Sequence, residues 1–485
     1  MDAIARRRRW VALVPVAVLV AMLAGGISIF GPDAILGASQ VSLLVAAGVC
    51  AVLSRWMDGT SWKTIERGIR ENVGEVAGAI LILLLIGAIS GTWMMSGIVP
   101  ALICYGLKII SPKVFLLTAC VLCALVSLLI GSSWTTIATV GVALLGIGRA
   151  EGFSDAMTAG AIISGAYFGD KISPLSDTTV LASSINRVDL FVHIKYMMLT
   201  TGPSILITLI IFTILGLSHG GAPSSQMAVY SEVLSRQFHL SPWLLLVPAL
   251  TGFLIWKRFP AVAVLALSAA AAALAAVIAQ PEVVARIGAK VTQGSPLRVG
   301  FAGVLEMVAD SVTLETGNLD VDKLVSSRGM TGMLGTVYLI ICAMCFGGCM
   351  QASGMIGELA GMLSPLTRSR TGLVGSTVLT GMTLNALVSD QYLSIILTSN
   401  IYRDSYKKGG YEPRLLSRSV EDSSTVTSPL IPWSSCGMTQ ATILSVSTLA
   451  YAPFCFFNIL SPLMSTLMAL LGWKIVRPAA KKPAE

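Results

Sequence analysis

Runs of about twenty apolar residues recur along the whole of this 485-residue chain. "WVALVPVAVLVAMLAGGISIF" (Trp10–Phe30) is one such run, and "GAILILLLIGAI" (Gly78–Ile89) and "SILITLIIFTILGL" (Ser204–Leu217) belong to others. In hydrocarbon the backbone must satisfy its own hydrogen bonds, so runs of this length fold as helices that cross a bilayer. Composition agrees. The chain is 54% hydrophobic and 12% charged, whereas a soluble domain is about a quarter charged. An all-α polytopic membrane protein is expected, with the lipid bilayer as its first partner.

The formal net charge of +8 reads as loop charge that sets orientation, not as a nucleic-acid surface. "RRRRW" (Arg6–Trp10) places the N-terminus in the cytoplasm, and the long apolar run after it reads as a retained signal anchor. The cysteines of "CVLC" (Cys120–Cys123) and "CAMCFGGC" (Cys342–Cys349) lie in apolar runs and read as small packing residues. His193, His219 and His239 fall at span ends and in a loop, and offer no catalytic core. A membrane hydrolase built on Ser133 or Ser389 would lack a histidine base, with Lys171 as the one substitute. The chain is read as a non-enzyme without a cofactor.

Weak internal repetition divides the chain. "SGTWMMSGIVPALICYGLKIISP" (Ser90–Pro112) parallels "GGCMQASGMIGELAGMLSP" (Gly347–Pro365), each with Ser-Gly (Ser96–Gly97, Ser353–Gly354) and a closing Ser-Pro. "FGDKISPL" (Phe168–Leu175) parallels "VEDSSTVTSPL" (Val420–Leu430). Counting basic residues settles the crossings. If residues 114–148 and 371–400 each cross, then Arg403, Lys407, Lys408, Arg414 and Arg418 land outside. If each is a re-entrant hairpin, that cluster stays inside, as do Arg187, Lys195, Lys257, Arg258, Arg368, Arg370 and Lys474, Arg477, Lys481 and Lys482 near the end; Arg55, Lys63, Arg67 and Arg70 lie in the inside loop after the second span. The hairpin reading gives about ten transmembrane helices plus two hairpins, as an inverted-topology repeat with broken helices at the midplane. The first repeat covers 1–218, with its hairpin at about 114–148 and broken helix at about 155–186. An external linker follows at 219–240. The second repeat covers 241–475, with its hairpin at about 371–400 and broken helix at about 415–437. A cytoplasmic tail, 476–485, closes the chain. Residues 281–328, including the amphipathic or re-entrant "VGFAGVLEMVADSV" (Val299–Val312), fit the charge rule least.

Four segments place polar groups at membrane depth: "GSSWTT" (Gly131–Thr136), "GDKISPLSDTT" (Gly169–Thr179), "LVSDQYLS" (Leu387–Ser394) and "EDSSTVTSPLIPWSS" (Glu421–Ser435). Pro174, Pro429 and Pro432 should break their helices and free carbonyls. The resulting pocket would hold carboxylates (Asp170, Asp177, Asp390, Glu421, Asp422), hydroxyls (Ser132, Ser133, Thr135, Ser173, Thr178, Thr427, Ser428) and the Gln391 amide. Sodium, a hard cation, takes such oxygen ligands. A desolvated carboxylate can bind either a proton or sodium, and competition for one carboxylate couples opposite flows. Asp170 is the first candidate for the shared site, with Asp390 and Asp422 behind it as further sodium ligands. Asp177 is a ligand or a partner of Lys171, and Lys171 is an internal counter-charge. Intramembrane ionisable groups are functional by default.

At these residues, "GSSWTTIATVGVALLGIG" (Gly131–Gly148), "TAGAIISGAYFGDKISPLSDTT" (Thr158–Thr179), "SDQYLS" (Ser389–Ser394) and "EDSSTVTSPLIPWSSCG" (Glu421–Gly437), the chain resembles the NhaC family of sodium/proton antiporters, within the ion transporter superfamily. The resemblance runs from about residue 70 to 470. It implies a multi-pass protein of the bacterial inner membrane, inverted repeats, and acids and hydroxyls lining an ion path. Some members are similar to exchangers of small organic acids, malate against lactate, and that is the alternative cargo beside sodium and protons. Both termini are expected in the cytoplasm, and a homodimer is the expected assembly.

Overall fold

The computed structural model describes residues 3–30, 37–109, 111–218, 224–257, 259–316, 322, 325–327, 329–362 and 369–475. The tail 476–485 and the charged Arg258, Asp320 and Arg368 lie outside these. Among the described residues the chain is all-helical, save for one antiparallel bridge between Val312 and Ser327. Seven helices are long and apolar enough to cross a membrane singly. Three bent pairs, at 67°, 92° and 58°, bring that to ten.

The first half runs through α1 (Ala3–Phe30), α2 (Ala38–Asp58), α3 (Trp62–Glu75), α4 (Ala77–Met95) and α5 (Ile98–Ile109). α6 (Phe115–Ile130) then turns back into α7 (Ser133–Thr136), which continues through a π-helical turn (Ile137–Gly141) into α8 (Val142–Ala150). α9 (Asp155–Ile172) breaks before α10 (Asp177–Ile185), and α11 (Leu190–Ser218) follows. Between the halves lies α12 (Ser224–Gln237). The second half has α13 (Leu246–Trp256), α14 (Ala261–Ala279), α15 (Pro281–Val291), α16 (Pro296–Ala309), α17 (Leu334–Ala352) and α18 (Met355–Met362). Its hairpin is α19 (Arg370–Val388) with α20 (Gln391–Lys408). Its broken helix is α21 (Pro413–Val420), a π-helical stretch (Glu421–Thr425) and α22 (Ser435–Leu444). α23 (Thr448–Tyr451) and α24 (Phe456–Leu471) end it.

Packing pairs the halves crosswise. α2 lies on α17 as α14 lies on α4, and α3 lies on α17 as α16 lies on α4. Each half thus covers the long span of the other. The matched Ser-Gly pairs behave alike: Gly97 (φ 82°) and Gly354 (φ 70°) both turn a long helix into a short one.

Three sequence expectations change. The inner loop carrying Lys63, Arg67 and Arg70 is helix α3, whose basic side chains remain exposed while Ile65 is buried. The linker at 219–240 contains α12, which bends at 92° toward α13. Arg418, counted as a loop charge, is wholly buried near the end of α21. The count failed there because a basic side chain next to a polar run can turn inward to a carboxylate.

The tightest helix pair is α6 with α9. Gly165 and Gly169, spaced as Gly-x-x-x-Gly, let the backbone of α9 approach Cys120 and Ala124 of α6. A Cβ on Gly165 would fall 2.0 Å from the Cys120 carbonyl oxygen. Ser127 Oγ closes the contact by donating to the Ala166 carbonyl at 2.6 Å. Gly165→Ala is therefore expected to cost about 1–3 kcal/mol through backbone displacement, read as a lower melting temperature in detergent. An unchanged melting temperature would contradict the close approach.

Candidate cation site

Each hairpin ends in a tight turn built alike. Gly131 and Ser389 take left-handed backbone (φ 74° and 62°) and close α6 and α19. Ser132 and Asp390 follow as N-caps of α7 and α20, Ser132 Oγ accepting from Thr135 N–H at 3.3 Å. Asp390 Oδ1 accepts from the N–H groups of Tyr392 (2.9 Å) and Leu393 (3.0 Å). The next pairs, Ser133 with Gln391 and Trp134 with Tyr392, complete the correspondence.

Each tip rests on a broken helix. Pro174 has no N–H, so α9 ends. The Asp170 carbonyl accepts instead from Ser173 N–H (3.1 Å), and the Lys171 carbonyl from Thr179 Oγ1 (3.0 Å). Ser173 Oγ donates to the Leu128 carbonyl of α6 at 2.8 Å. In the second half, Asn385 and Asn458 donate to the carbonyls of Ser424 (2.6 Å) and Val426 (2.7 Å). Of the carbonyls that the prolines free, that of Asp170 is taken by a backbone N–H and that of Ser428 by Ser434 Oγ (2.5 Å).

Across each junction a carboxylate meets a hydroxyl, with the roles exchanged. Asp170 on the broken helix accepts from Ser133 of the tip, from N–H at 3.1 Å and from Oγ at 2.7 Å. In the second half the tip supplies the acid. Asp390 Oδ2 accepts from Ser435 Oγ at 3.4 Å, while Ser435 N–H donates to the Ser389 carbonyl at 2.7 Å.

A cavity of about 670 Å³ opens at the first junction. It gathers Ser132, Ser133, Thr135, Asp170, Asp177 and Thr178, and receives Gln391 and Tyr392 from the opposite tip. Asp170 is 6% exposed, and Asp177 stands open to the cavity. Ser173, Thr427, Ser428, Asp390 and Asp422 do not line it. Thr427 bonds to Asn385 and to the Ser423 carbonyl, and Ser428 to Ser434, all inside the second break.

Asp170, Asp390 and Asp422, the three candidate sodium-binding acids, stand in three different surroundings. Among the described residues no three acidic, histidine or cysteine groups converge as a metal cage. Asp390 is spent on its helix N-terminus. Asp422 forms a fully buried ion pair with Lys171, accepts from Thr200 (3.1 Å) and Ser461 (3.3 Å), and lies 3.9 Å from Arg418. Lys171 also donates to Ser461 at 2.8 Å and sits 5.7 Å from the Phe457 ring centre. Its partner is thus Asp422 of the other half, not Asp177. With Ser133 on Asp170 and Lys171 on Asp422, a Ser-Lys nucleophile is not assembled.

Sequence reading missed several members of this buried cluster. Arg418 stacks 4.8 Å from the Tyr196 ring. His193, expected at a span end, is wholly buried with Nδ1 2.8 Å from Ser417 Oγ. Thr200 and Ser461 carried no local signal, since single hydroxyls in apolar helices usually bond their own backbone.

Hairpin tips seated on broken helices, with acids and hydroxyls at the junctions, define a helical membrane transporter. A model of the Na+/H+ antiporter family matches residues 4–186 and 165–473, and the chain belongs to that family. It is 36% identical over 433 residues to the Na+/H+ antiporter NhaC of Alkalihalophilus pseudofirmus, covering 89% of this chain and 90% of that protein. It is 34% identical over 468 residues to the arginine/ornithine antiporter ArcD of Halobacterium salinarum (96% and 92%). It is 33% identical over 421 residues to the malate-2H+/Na+-lactate antiporter of Bacillus subtilis (86% of each).

Proposed function

We propose that this chain exchanges sodium ions for protons across the bacterial inner membrane by alternating access, with the Asp170 carboxylate shared between the two ions. One observation carries the reading. Asp170 faces the cavity and holds the first hairpin tip through Ser133 in the same gesture. An ion or proton on that carboxylate competes with the tip for it, so occupancy and the position of the tip are linked. Ser132, Thr135, Asp177, Thr178 and Gln391 supply further oxygens. Asp390 positions the second tip, and Lys171 with Asp422 ties the halves together.

The crosswise packing and the matched tips support repeats of 1–218 and 241–475 joined by a linker at 219–240. The exposed Arg55, Lys63, Arg67, Arg403, Lys407 and Lys408 support both termini in the cytoplasm. The organic-acid alternative draws no support from Lys171, which faces Asp422 instead of the cavity. A homodimer stays in the proposal as the assembly to be tested.

The test is a sodium pulse on proteoliposomes carrying an internal pH indicator, with and without malate and lactate. Sodium alone is expected to drive protons out. A strict requirement for an organic acid would overturn sodium/proton exchange.

A further inference from the structure

We infer that the cavity at Asp170 also takes a small organic amine, a primary ammonium on a short alkyl chain, and turns away organic anions. The inference rests on the proposed function in that it treats this cavity as the transport site.

The volume is the first reason. About 670 Å³ lies in the range of pockets that bury whole small molecules, while one water needs only about 10–15 Å³. The walls are the second. Apolar Ile82, Ile130, Leu175 and Val264 stand beside the aromatic faces of Trp134 and Tyr392. Such walls give a hydrated ion nothing, but they suit an alkyl chain and an ammonium head.

Charge is the third reason. Among the described residues, Asp170 and Asp177 are the ionisable groups on the wall besides the Tyr392 phenol, and no basic residue lines it. Helix N-termini elsewhere recruit anions. Here the three that converge already carry protein carboxylates. The α7 N-terminus donates to Asp170, α10 bears Asp177 in its first turn, and α20 is capped by Asp390. Those positive ends are therefore screened from an anionic solute. Gln391 adds an independent sign of a ligand. It is 4% exposed, lines the cavity, and its Oε1 has no hydrogen-bond partner among the described residues. An ammonium has three donors and no acceptor, which suits a wall whose charged groups are the Asp170 and Asp177 carboxylates.

The probes are butylammonium and 1,4-diaminobutane, with 1-butanol and butyrate as neutral and anionic chains of similar length. Radioactive sodium exchange is measured in proteoliposomes at equal pH on both sides, so that weak-base effects on a gradient do not enter. Both amines are expected to compete with sodium, raising its apparent KM about threefold at twice their own inhibition constant, without changing the maximal rate. Butanol and butyrate should have no effect. Trp134→Leu should weaken amine inhibition by about fivefold. Isothermal titration of each probe into the purified full-length protein gives a second readout that does not depend on exchange. Amine binding there, displaced by sodium, supports the inference even if sodium/proton coupling fails its own test. No amine binding, or binding of butyrate as tight as that of butylammonium, overturns the inference and leaves sodium exchange standing.

Discussion

Asp170→Asn abolishes sodium-driven proton movement while leaving the protein folded. The asparagine side chain keeps the shape and an oxygen that can accept from Ser133 N–H and Oγ, so the first hairpin tip remains seated. What it loses is the charge and the proton site. A unit charge acting on a cation at about 4 Å is worth about 4 kcal/mol at an effective dielectric of 20. That loss weakens sodium binding about a thousandfold. The measurement is sodium-pulse proton release together with the melting temperature of the purified variant. Near-normal exchange would remove Asp170 as the shared carboxylate. Loss of exchange with a collapsed melting temperature would show that the carboxylate is needed for packing of the tip.

Lys171→Met has the second large effect, on stability. Lys171 and Asp422 are both 0% exposed and stand 251 positions apart, one on each broken helix. Removing one member leaves the other as an uncompensated buried charge, which costs about 3–5 kcal/mol. Arg418 lies 3.9 Å from the other Asp422 oxygen, Oδ2, and recovers part of that loss. Removing both members, as Lys171→Met with Asp422→Asn, should cost less than the sum of the single changes, because neither Lys171 nor Asp422 is then left without the other, while the loss of the carboxylate beside Arg418 is common to both Asp422→Asn proteins. Thermal unfolding in detergent of the four proteins of this cycle decides it. Additive single costs would show that the pair is not coupled. An Asp422→Asn variant that melts normally but no longer exchanges ions would move Asp422 from the clamp into the ion path.

Much of this architecture was legible in the residues. Apolar run length predicts the crossings, because a bilayer imposes one length on every helix. Re-entrant hairpins are the expectation from counting charges such as Lys407 and Lys408, whereas α6 and α19, one leg of each, are also long and apolar enough to cross singly. The breaks at Pro174 and Pro429 are local backbone chemistry. The caps are missed: in sequence Ser132 and Asp390 read as ion ligands, though each stands where a helix N-terminus wants an acceptor. Arg418 was misplaced because its burial depends on Tyr196, far along the chain, as well as on Asp422. A loop arginine and a buried one look the same in sequence.

Sequence by itself determined that the chain is helical and crosses a membrane many times, and it singled out the acids Asp170, Asp390 and Asp422. All of these come from interactions within a few residues or with the solvent, and such interactions have a fixed period or length. Tertiary structure alone decided which acid does what. Asp170 faces a cavity, Asp390 is held by its own helix end, and Asp422 is matched to a lysine from the other half. A carboxylate's role is set by the charges and donors within a few ångströms of it: Ser133 reaches Asp170 and the Leu393 N–H reaches Asp390 from their own half, while Lys171 reaches Asp422 from the opposite one.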